Sequence, residues 1–497
     1  MWGVWTAGQI REAEVAMMRT VPGETLMRRA AYGLAVRARV ALGATVAGRR
    51  VVLLVGAGHN GGDALWAGYE LRRRGVAVTA VLLVPDRAYA PGLAALRRAG
   101  GRVVGAEGAD AVVVRADLVI DGVVGISGHG ALREPGARLV AAAARAGVPM
   151  LACDLPSGVD TDTGEAHEPA VHADATVTFG ARKPVHALAA PRCGPVHVVD
   201  FGLGPHLPAP HAQVLEAGDV AERWPVPGPA DDKYTQGVVG IAAGSATYPG
   251  AAVLAAGAAV LATSGMVRYA GTAGDAVHAR WPEVVATADV AGAGRTQAWT
   301  VGPGSGTDDA GRATVLAALK RDVALCLDAD AVTLLARHAD LRAAVRGRPV
   351  VITPHAGEFA RIAGDVGPDR VAAARRAAAD LGVTVLLKGH ATVVAEPDGR
   401  ALIHPSTSSW AATAGSGDVL SGIIGALLAA GLEPWWAAGC AAFVHARAAD
   451  LAAAGAPAPA SALQAAIPAA IRSLWERSGD RRGRHNPLPA PARERMR

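Results

Sequence analysis

The sequence predicts an α/β chain of two consecutive units, each a mostly parallel, doubly wound sheet with helices on both faces. Three observations carry this. Short apolar, β-branched runs alternate with helical segments along nearly the whole chain. Glycine is abundant, at 61 of 497 residues, and aromatics reach only 4%, which suits closely packed helices on parallel strands better than an aromatic-rich sandwich. The alternation lapses once, across the Pro- and Gly-rich stretch 186–232, and then restarts.

In chain order, residues 9–42 are expected to form a helix, with Met17, Met18, Leu26, Ala30 and Leu34 at helical spacing. VVLLVGAG (51–58) is a buried strand running into a glycine turn. LWAGYELRRRG (65–75) is a helix stopped by Gly75. A strand at 77–84, a helix near 91–100, strands at 102–104 and 117–120, a helix near 137–146 and strand PMLACDLP (149–156) follow. The second alternation begins at GVVGIAAG (237–244) and continues to about 475. It includes a small-residue helix over 248–269 and a strand-turn-strand at LLKGHATVV (386–394). The expected organisation is a first domain over 1–215, a linker over 216–230, a second domain over 231–477 and a disordered basic tail over 478–497.

Bulk properties exclude several classes. Hydrophobic residues are 51% and charged residues 19%, so each unit can bury a sizeable core. The net charge of +5 is concentrated partly in the Arg-rich tail, which argues against a nucleic-acid-binding face. The four cysteines, Cys153, Cys193, Cys326 and Cys440, form no CxxC pair and suit a reducing compartment. The opening residues lack a signal-peptide pattern, and the most apolar stretch, 423–444, is interrupted by Glu433 and Pro434. A cytoplasmic protein without membrane partners is expected, as is a homo-oligomer.

In the first unit, GAGHNGGD (56–63) sits where a strand meets a helix. It formally satisfies GxGxxG, but Asp63 near the helix start would compete with a pyrophosphate. The alternative is a tight turn in which Asp63 caps the helix. Asp121 ends an apolar strand before the glycine loop GISGHGA (125–131), and DLPSG places Asp154 and Ser157 at the end of the next strand. Ligands of open parallel sheets bind beyond the carboxyl ends of strands, so Asn60, Asp121, Asp154 and Ser157 converge on one crevice, an oxygen-rich set suited to a hard cation.

This run resembles the NAD(P)H-hydrate epimerases, or YjeF N-terminal domains, over about 1–215, including LMRRA (26–30) and TFGARKP (178–184). The resemblance implies a Rossmann-like sheet and a potassium ion held by Asn60, Asp121 and Ser157. It implies substrate contacts from His59, Asn60, Gly61, Gly62 and Asp63, from Gly125, Ile126, Ser127, Gly128, His129, Gly130 and Ala131, and from Asp154. Asp154 would be the acid-base residue, with Lys183 a second polar partner. His59 and Ala64 depart from the family's usual Asn and Gly.

In the second unit, TAGSGDVLSGIIGALLAAG (413–431) is a glycine turn opening an apolar helix, whose free N–H groups form an anion site. Asp418 follows the glycines directly, where a base could take the proton of a hydroxyl attacking a phosphoryl group. An incidental Asp at a helix cap is the alternative. Lys388 and Thr392 flank the turn of LLKGHATVV, TPHAGEF supplies His355 and Glu358, GPGSG (302–306) is a turn that lets a ligand approach the backbone, and LDADA places Asp328 and Asp330 at a strand end, where capping is again an alternative.

Their order resembles the ribokinase-like, ADP- or ATP-dependent NAD(P)H-hydrate dehydratases over 231–475. The resemblance implies a ribokinase-like α/β domain. Gly306, His355, Asp418 and Ala251 would contact the hydrated nicotinamide. Lys388, Gly389, His390, Ala391, Thr392 and Gly417 would hold the adenine nucleotide. Catalysis would rest on Asp418, with ADP as phosphoryl donor together with Mg2+. The segment TSSWAATAGSGD carries Ser408 where Asn is usual. The expected function is epimerisation and ADP-dependent dehydration of NADHX and NADPHX. The rival readings are a kinase of a small hydroxylated metabolite with an accessory domain, and a non-catalytic nucleotide-binding scaffold.

Overall fold

The computed structural model describes residues 1–406 and 408–477; the basic tail expected over 478–497 lies outside them. The chain divides into two compact units, Gly3–Gln213 and Val214 onward, the latter joined by Met1 and Trp2. Two short strands, β1 (Trp2–Val4) and β9 (Ala212–Val214), lie where the chain divides.

The first unit is built on strands β2 (Arg50–Val55), β3 (Ala77–Leu82), β4 (Arg102–Gly105), β5 (Leu118–Gly122), β6 (Met150–Cys153), β7 (Ala175–Phe179) and β8 (Val196–Val199). Their spatial order is β4-β3-β2-β5-β6-β7-β8, and every neighbouring pair is parallel. The two faces are read directly off β2. Val51, Leu53 and Val55 pack into one apolar cluster with helices Ala7–Met17, Gly23–Leu42 and His59–Arg72, while Val52 and Leu54 enter another under helix Gly136–Arg145. The strand order reverses between β2 and β5, so their carboxyl ends form the crevice where such sheets bind ligands.

Three expectations about residues 1–230 need correction. The helix expected over 9–42 is two helices, Ala7–Met17 and Gly23–Leu42, because Pro22 cannot continue the first and instead precedes the second. The helix expected from 65 begins at His59; its N-cap is Gly58, so Asp63 is not the cap. The stretch expected to link the domains is partly folded: Ala217–Arg223 is a helix, and Leu215, Val220 and Trp224 enter the core of the second unit.

The second unit contains β10 (Val238–Ala242), β11 (Met266–Ala270), β12 (Val285–Thr287), β13 (Ala298–Val301), β14 (Ala324–Leu327), β15 (Val350–Ile352), β16 (Thr384–Leu387), β17 (Ala391–Ala395) and β18 (Ala401–Pro405). They lie in the order β18-β17-β16-β15-β14-β13-β10-β11-β12. All pairs are parallel except β16–β17 and β17–β18, which are antiparallel. The small-residue helix expected over 248–269 ends at Ala262, and 266–270 is β11, whose Val267 and Tyr269 enter the core.

Helix Ser416–Ala429 is sandwiched tightly. A Cβ at Gly422 would overlap the Ala255 carbonyl oxygen of helix Pro249–Ala262, and one at Gly425 would overlap the Thr300 hydroxyl of β13. Only glycine permits such backbone approach on two sides. Among the described residues, no helix is long and apolar enough to cross a membrane.

Candidate functional site

In the first unit, the ends of β2, β5, β6 and β7 bring together most of the residues expected there. Asp121, at the end of β5, is fully buried. Its Oδ1 accepts from the Ser157 hydroxyl at 2.7 Å and from the Val123 N–H at 3.2 Å, and its Oδ2 accepts from the Ser157 N–H at 2.9 Å. The Ser157 Oγ in turn accepts from the Val124 N–H at 3.1 Å. Asn60, in the first turn of helix His59–Arg72, donates through Nδ2 to the carbonyls of Val124 (2.8 Å) and Cys153 (3.0 Å). Both donors of its amide are thereby spent, leaving Oδ1 as an acceptor near Gly125. The three residues thus share one turn, Val123–Gly125. Burial pushes the Asp121 carboxyl up to about 6 against its three hydrogen bonds, and no basic side chain pairs with it among the described residues.

Beside it lies a second, ion-paired group. Asp154 has φ 71° and is buried. Its Oδ1 accepts from the Lys183 ammonium at 2.5 Å and the Thr178 hydroxyl at 2.9 Å. Lys183, 1% exposed, also donates to Thr178 Oγ1 (2.8 Å) and the Phe179 carbonyl (3.1 Å), so all three of its donors are used. Burial opposes charge on Asp154, but the Lys183 ammonium outweighs it and holds the carboxyl below its usual range. His186 fixes the segment: Nδ1 accepts from the Lys183 N–H at 2.9 Å, and the Asp154 carbonyl lies 2.9 Å from Nε2. Burial, then Lys183, push the His186 imidazole down to about 4, so it is neutral.

Asp63 lies in the same helix as Asn60, 8% exposed. Burial, with the charges of Asp154 and Glu14, pushes its carboxyl well above the usual range. Glu14, from helix Ala7–Met17, is raised too, first by burial, and it senses Lys183, Asp154 and His59. Arg11, one turn earlier, donates to the Ile126 carbonyl at 3.1 Å and so ties this helix to the glycine loop. Within that loop Ser127, His129, Gly130 and Ala131 are exposed, and His129 Nδ1 lies 3.3 Å from Asp160 Oδ2. His59 is exposed at the helix start. Glu14, Thr178 and His186 were not singled out from the sequence. TFGARKP had marked the neighbourhood of the last two, whereas nothing local marks Glu14.

In the second unit the carboxyl ends of β13, β14, β15 and β16 stand side by side and carry Gly302, Asp328, Thr353–His355 and Lys388. Helix Ser416–Ala429 points its first turn at them. Its N-cap is Gly415, with φ 86° and no side-chain cap, so Asp418 is not a capping residue. Burial first, and then the Asp328 charge, push the Asp418 carboxyl up to about 7, with Lys388 pulling the other way. Lys388 donates to Asp328 Oδ1 at 2.7 Å, and Glu358 Oε2 lies 3.9 Å away. Burial disfavours charge on Lys388, but the two carboxylates raise its affinity for the proton. A Cβ at Gly417 would lie 3.4 Å from the Lys388 ammonium, so lysine and helix start abut.

Asp330 accepts from the Gly306 N–H at 2.9 Å and shapes the GPGSG turn, and neither it nor Asp328 caps a helix. Ala251 stands beside that turn, 3.0 Å from where a Gly304 Cβ would be. His355 is the N-cap of helix Ala356–Ala363: Nδ1 accepts from the Gly357 N–H (3.0 Å) and the Glu358 N–H (3.3 Å), while the His355 N–H donates to Glu358 Oε2 (2.9 Å). Its ring is nonetheless 56% exposed toward solvent. Thr392 lies on β17 opposite His404, and Gly389 and His390 form the turn before it. Arg370, which the sequence did not flag, donates to the carbonyls of Lys388 (3.0 Å) and Ala391 (3.3 Å) and braces that turn.

Comparison with known proteins places both halves. A family model described as NAD(P)H-hydrate dehydratase matches residues 239–469, and one described as YjeF-related protein N-terminus matches residues 23–185. The bifunctional NAD(P)H-hydrate repair enzyme of Mycobacterium tuberculosis is 58% identical over 434 residues, covering 86% of this chain and 89% of that protein. Its counterpart in Mycobacterium leprae is 56% identical over 454 residues, covering 90% and 94%. Among solved structures, the ADP/ATP-dependent NAD(P)H-hydrate dehydratase of Bacillus subtilis, co-crystallised with ATP and Mg2+, is 26% identical. It covers 53% of this chain and 99% of that one, with a TM-score of 0.47.

Proposed function

Because this chain belongs to the bifunctional NAD(P)H-hydrate repair enzymes, we propose that it restores hydrated nicotinamide dinucleotides in two steps, one per unit. The first unit interconverts the R and S hydrates of NADH and NADPH. The second dehydrates the S form at the expense of ADP.

The observation that carries the second step is the Asp418 carboxyl, lifted to about 7 at the open end of a helix and facing Lys388. A base poised near neutrality accepts the proton of the ring hydroxyl as its oxygen attacks the terminal phosphorus of ADP. The N–H groups of Gly415 and Gly417 at the helix start and the Lys388 ammonium face the charge that develops on the phosphoryl oxygens. AMP departs. The phosphate ester then leaves as inorganic phosphate while the adjacent ring carbon loses a proton, which restores the double bond. Magnesium would accompany the nucleotide, bound mainly through its phosphates.

In the first unit, two carboxyls are driven apart. Lys183 favours the charged form of Asp154, while burial and the neighbouring charge of Asp154 favour the proton on Asp63, which suits a base and an acid in one crevice. Potassium fits beside them: the donor set is Asn60 Oδ1, one buried carboxylate without a basic partner, and a hydroxyl. When bound, the cation would supply positive charge beside the Val123–Gly125 turn. Asn60, Asp121 and Ser157 would hold it, next to the glycine loop 125–131.

The deciding experiment supplies purified protein with both epimers of NADHX and ADP and follows recovery of nicotinamide absorbance. Full recovery requires both activities, because dehydration alone consumes only one epimer. No recovery with ADP would refute this reading. Phosphorylation of an unrelated hydroxylated metabolite would favour the kinase alternative.

A further inference from the structure

We propose that Asp328 is a positioning residue that tethers the Lys388 ammonium against the first turn of helix Ser416–Ala429, where nucleotide phosphates are received. The proposal rests on the reading that this unit takes an adenine nucleotide. Asp328 ends β14 and Lys388 ends β16, with β15 between them, so the side chains meet across an intervening strand end at 2.7 Å. Asp328 is 1% exposed, while the Lys388 side chain is 21% exposed, so the pair has a buried anchor and an accessible head. A Cβ at Gly417 would lie 3.4 Å from the ammonium and 3.7 Å from Asp328 Oδ2, which sets both groups at the helix start.

Donor arithmetic gives the tether its use. An ammonium has three N–H donors. Asp328 takes one, and Glu358 at 3.9 Å is beyond hydrogen-bond reach, so two donors remain for phosphate oxygens. The four-carbon stem of lysine is flexible, and fixing it in advance removes an ordering cost from nucleotide binding. Asp328 cannot release its partner without leaving a buried charge unpaired, so the contact is a permanent brace. Arg370 fixes the same lysine from behind through its carbonyl, at 3.0 Å.

The test measures ADP binding by calorimetry, alongside ADP-dependent dehydration, for the intact chain and for Asp328→Asn, Lys388→Met and the double variant. Asp328→Asn is expected to weaken ADP binding roughly ten- to a hundredfold, the scale of one charged hydrogen bond. It should raise the KM for ADP more than it lowers kcat. The double variant should bind ADP no more weakly than Lys388→Met, because Asp328 acts only through the lysine. Asp328→Glu, which keeps the charge, should recover part of the loss. Additive losses in the double variant, or unchanged or tighter ADP binding in Asp328→Asn, would overturn the tether. An unaltered chain that binds no ADP would overturn the nucleotide reading of the unit, and the tether with it.

Discussion

The two sites use the same pair of residue types, an aspartate and a lysine at strand ends, to opposite effect. In the first unit Lys183 is sealed, with every donor spent on Asp154, Thr178 and Phe179, so the acidic partner is held ionised. In the second, Lys388 gives one donor to Asp328, and the proposed base, Asp418, is lifted to about 7 by burial first and then by the Asp328 charge. What matters is therefore which carboxylate receives the lysine. Pairing the carboxyl itself favours its charged form at neutral pH; pairing its neighbour leaves the carboxyl near its own midpoint.

The sharpest way to break this comparison is Asp418→Asn. Asparagine keeps the size and the helix start but cannot take a proton, so ADP-dependent dehydration should fall about 100- to 10,000-fold. Epimerisation on the same preparation should persist, and equal loss of both would place the defect in folding. Next in size is Lys183→Met, which leaves Asp154 buried and uncompensated and should cost about 3–5 kcal/mol of stability to the first unit. The double change Asp154→Asn with Lys183→Met should regain most of that in a denaturant titration while epimerisation stays lost.

Acidity separates the sites less violently. A base works only when deprotonated, and Asp418 is raised, so the dehydration rate should decline tenfold per pH unit below about 7. Asp154 is depressed, so its ionisation sets no such limb at neutral pH, and epimerisation should fall only at lower pH. Coincident acid limbs would contradict the contrast. The smallest effect is expected from the cation. Potassium should stabilise the first unit relative to tetramethylammonium buffer by about 2.7 kcal/mol at a hundredfold excess over its Kd, read as a higher melting temperature. Asp121→Ala should abolish the difference.

Much of this was legible in the sequence, for stated reasons. Strand ends announce themselves as apolar runs that stop at Gly, Asp or Lys, and a parallel sheet lines those ends up. Asn60, Asp121, Asp154, Ser157 and Lys388 were placed at such ends from the sequence, and each lies at or just beyond one here, while Asp418 was placed, and lies, at the start of a helix opened by glycines. Pairings between strands were not legible. Asp328 and Lys388 are 60 residues apart, and only the order β14-β15-β16 makes them partners. Glu14 comes from a helix far along the chain from the rest of its site, and helical periodicity alone could not show that this helix stops at Met17 and a second starts after Pro22. Trp224 was hidden for the opposite reason: its segment is too Pro- and Gly-rich to display a period, yet Leu215, Val220 and Trp224 still reach the core.

The glycines that press helix Ser416–Ala429 onto Ala255 and Thr300 give the second unit a mechanical character. Helix backbone pressed against the Ala255 carbonyl on one side and the Thr300 hydroxyl on the other leaves little room to deform, so the helix resists sliding along or rolling over its neighbours. Its anion-receiving end is accordingly a stationary datum. Any adjustment to a substrate would fall to the turns beside it, Gly302–Gly306 and Gly389–His390, which lie at strand ends. The machine resembles an anvil with movable jaws: chemistry is referenced to the fixed part, and fit is adjusted by the rest.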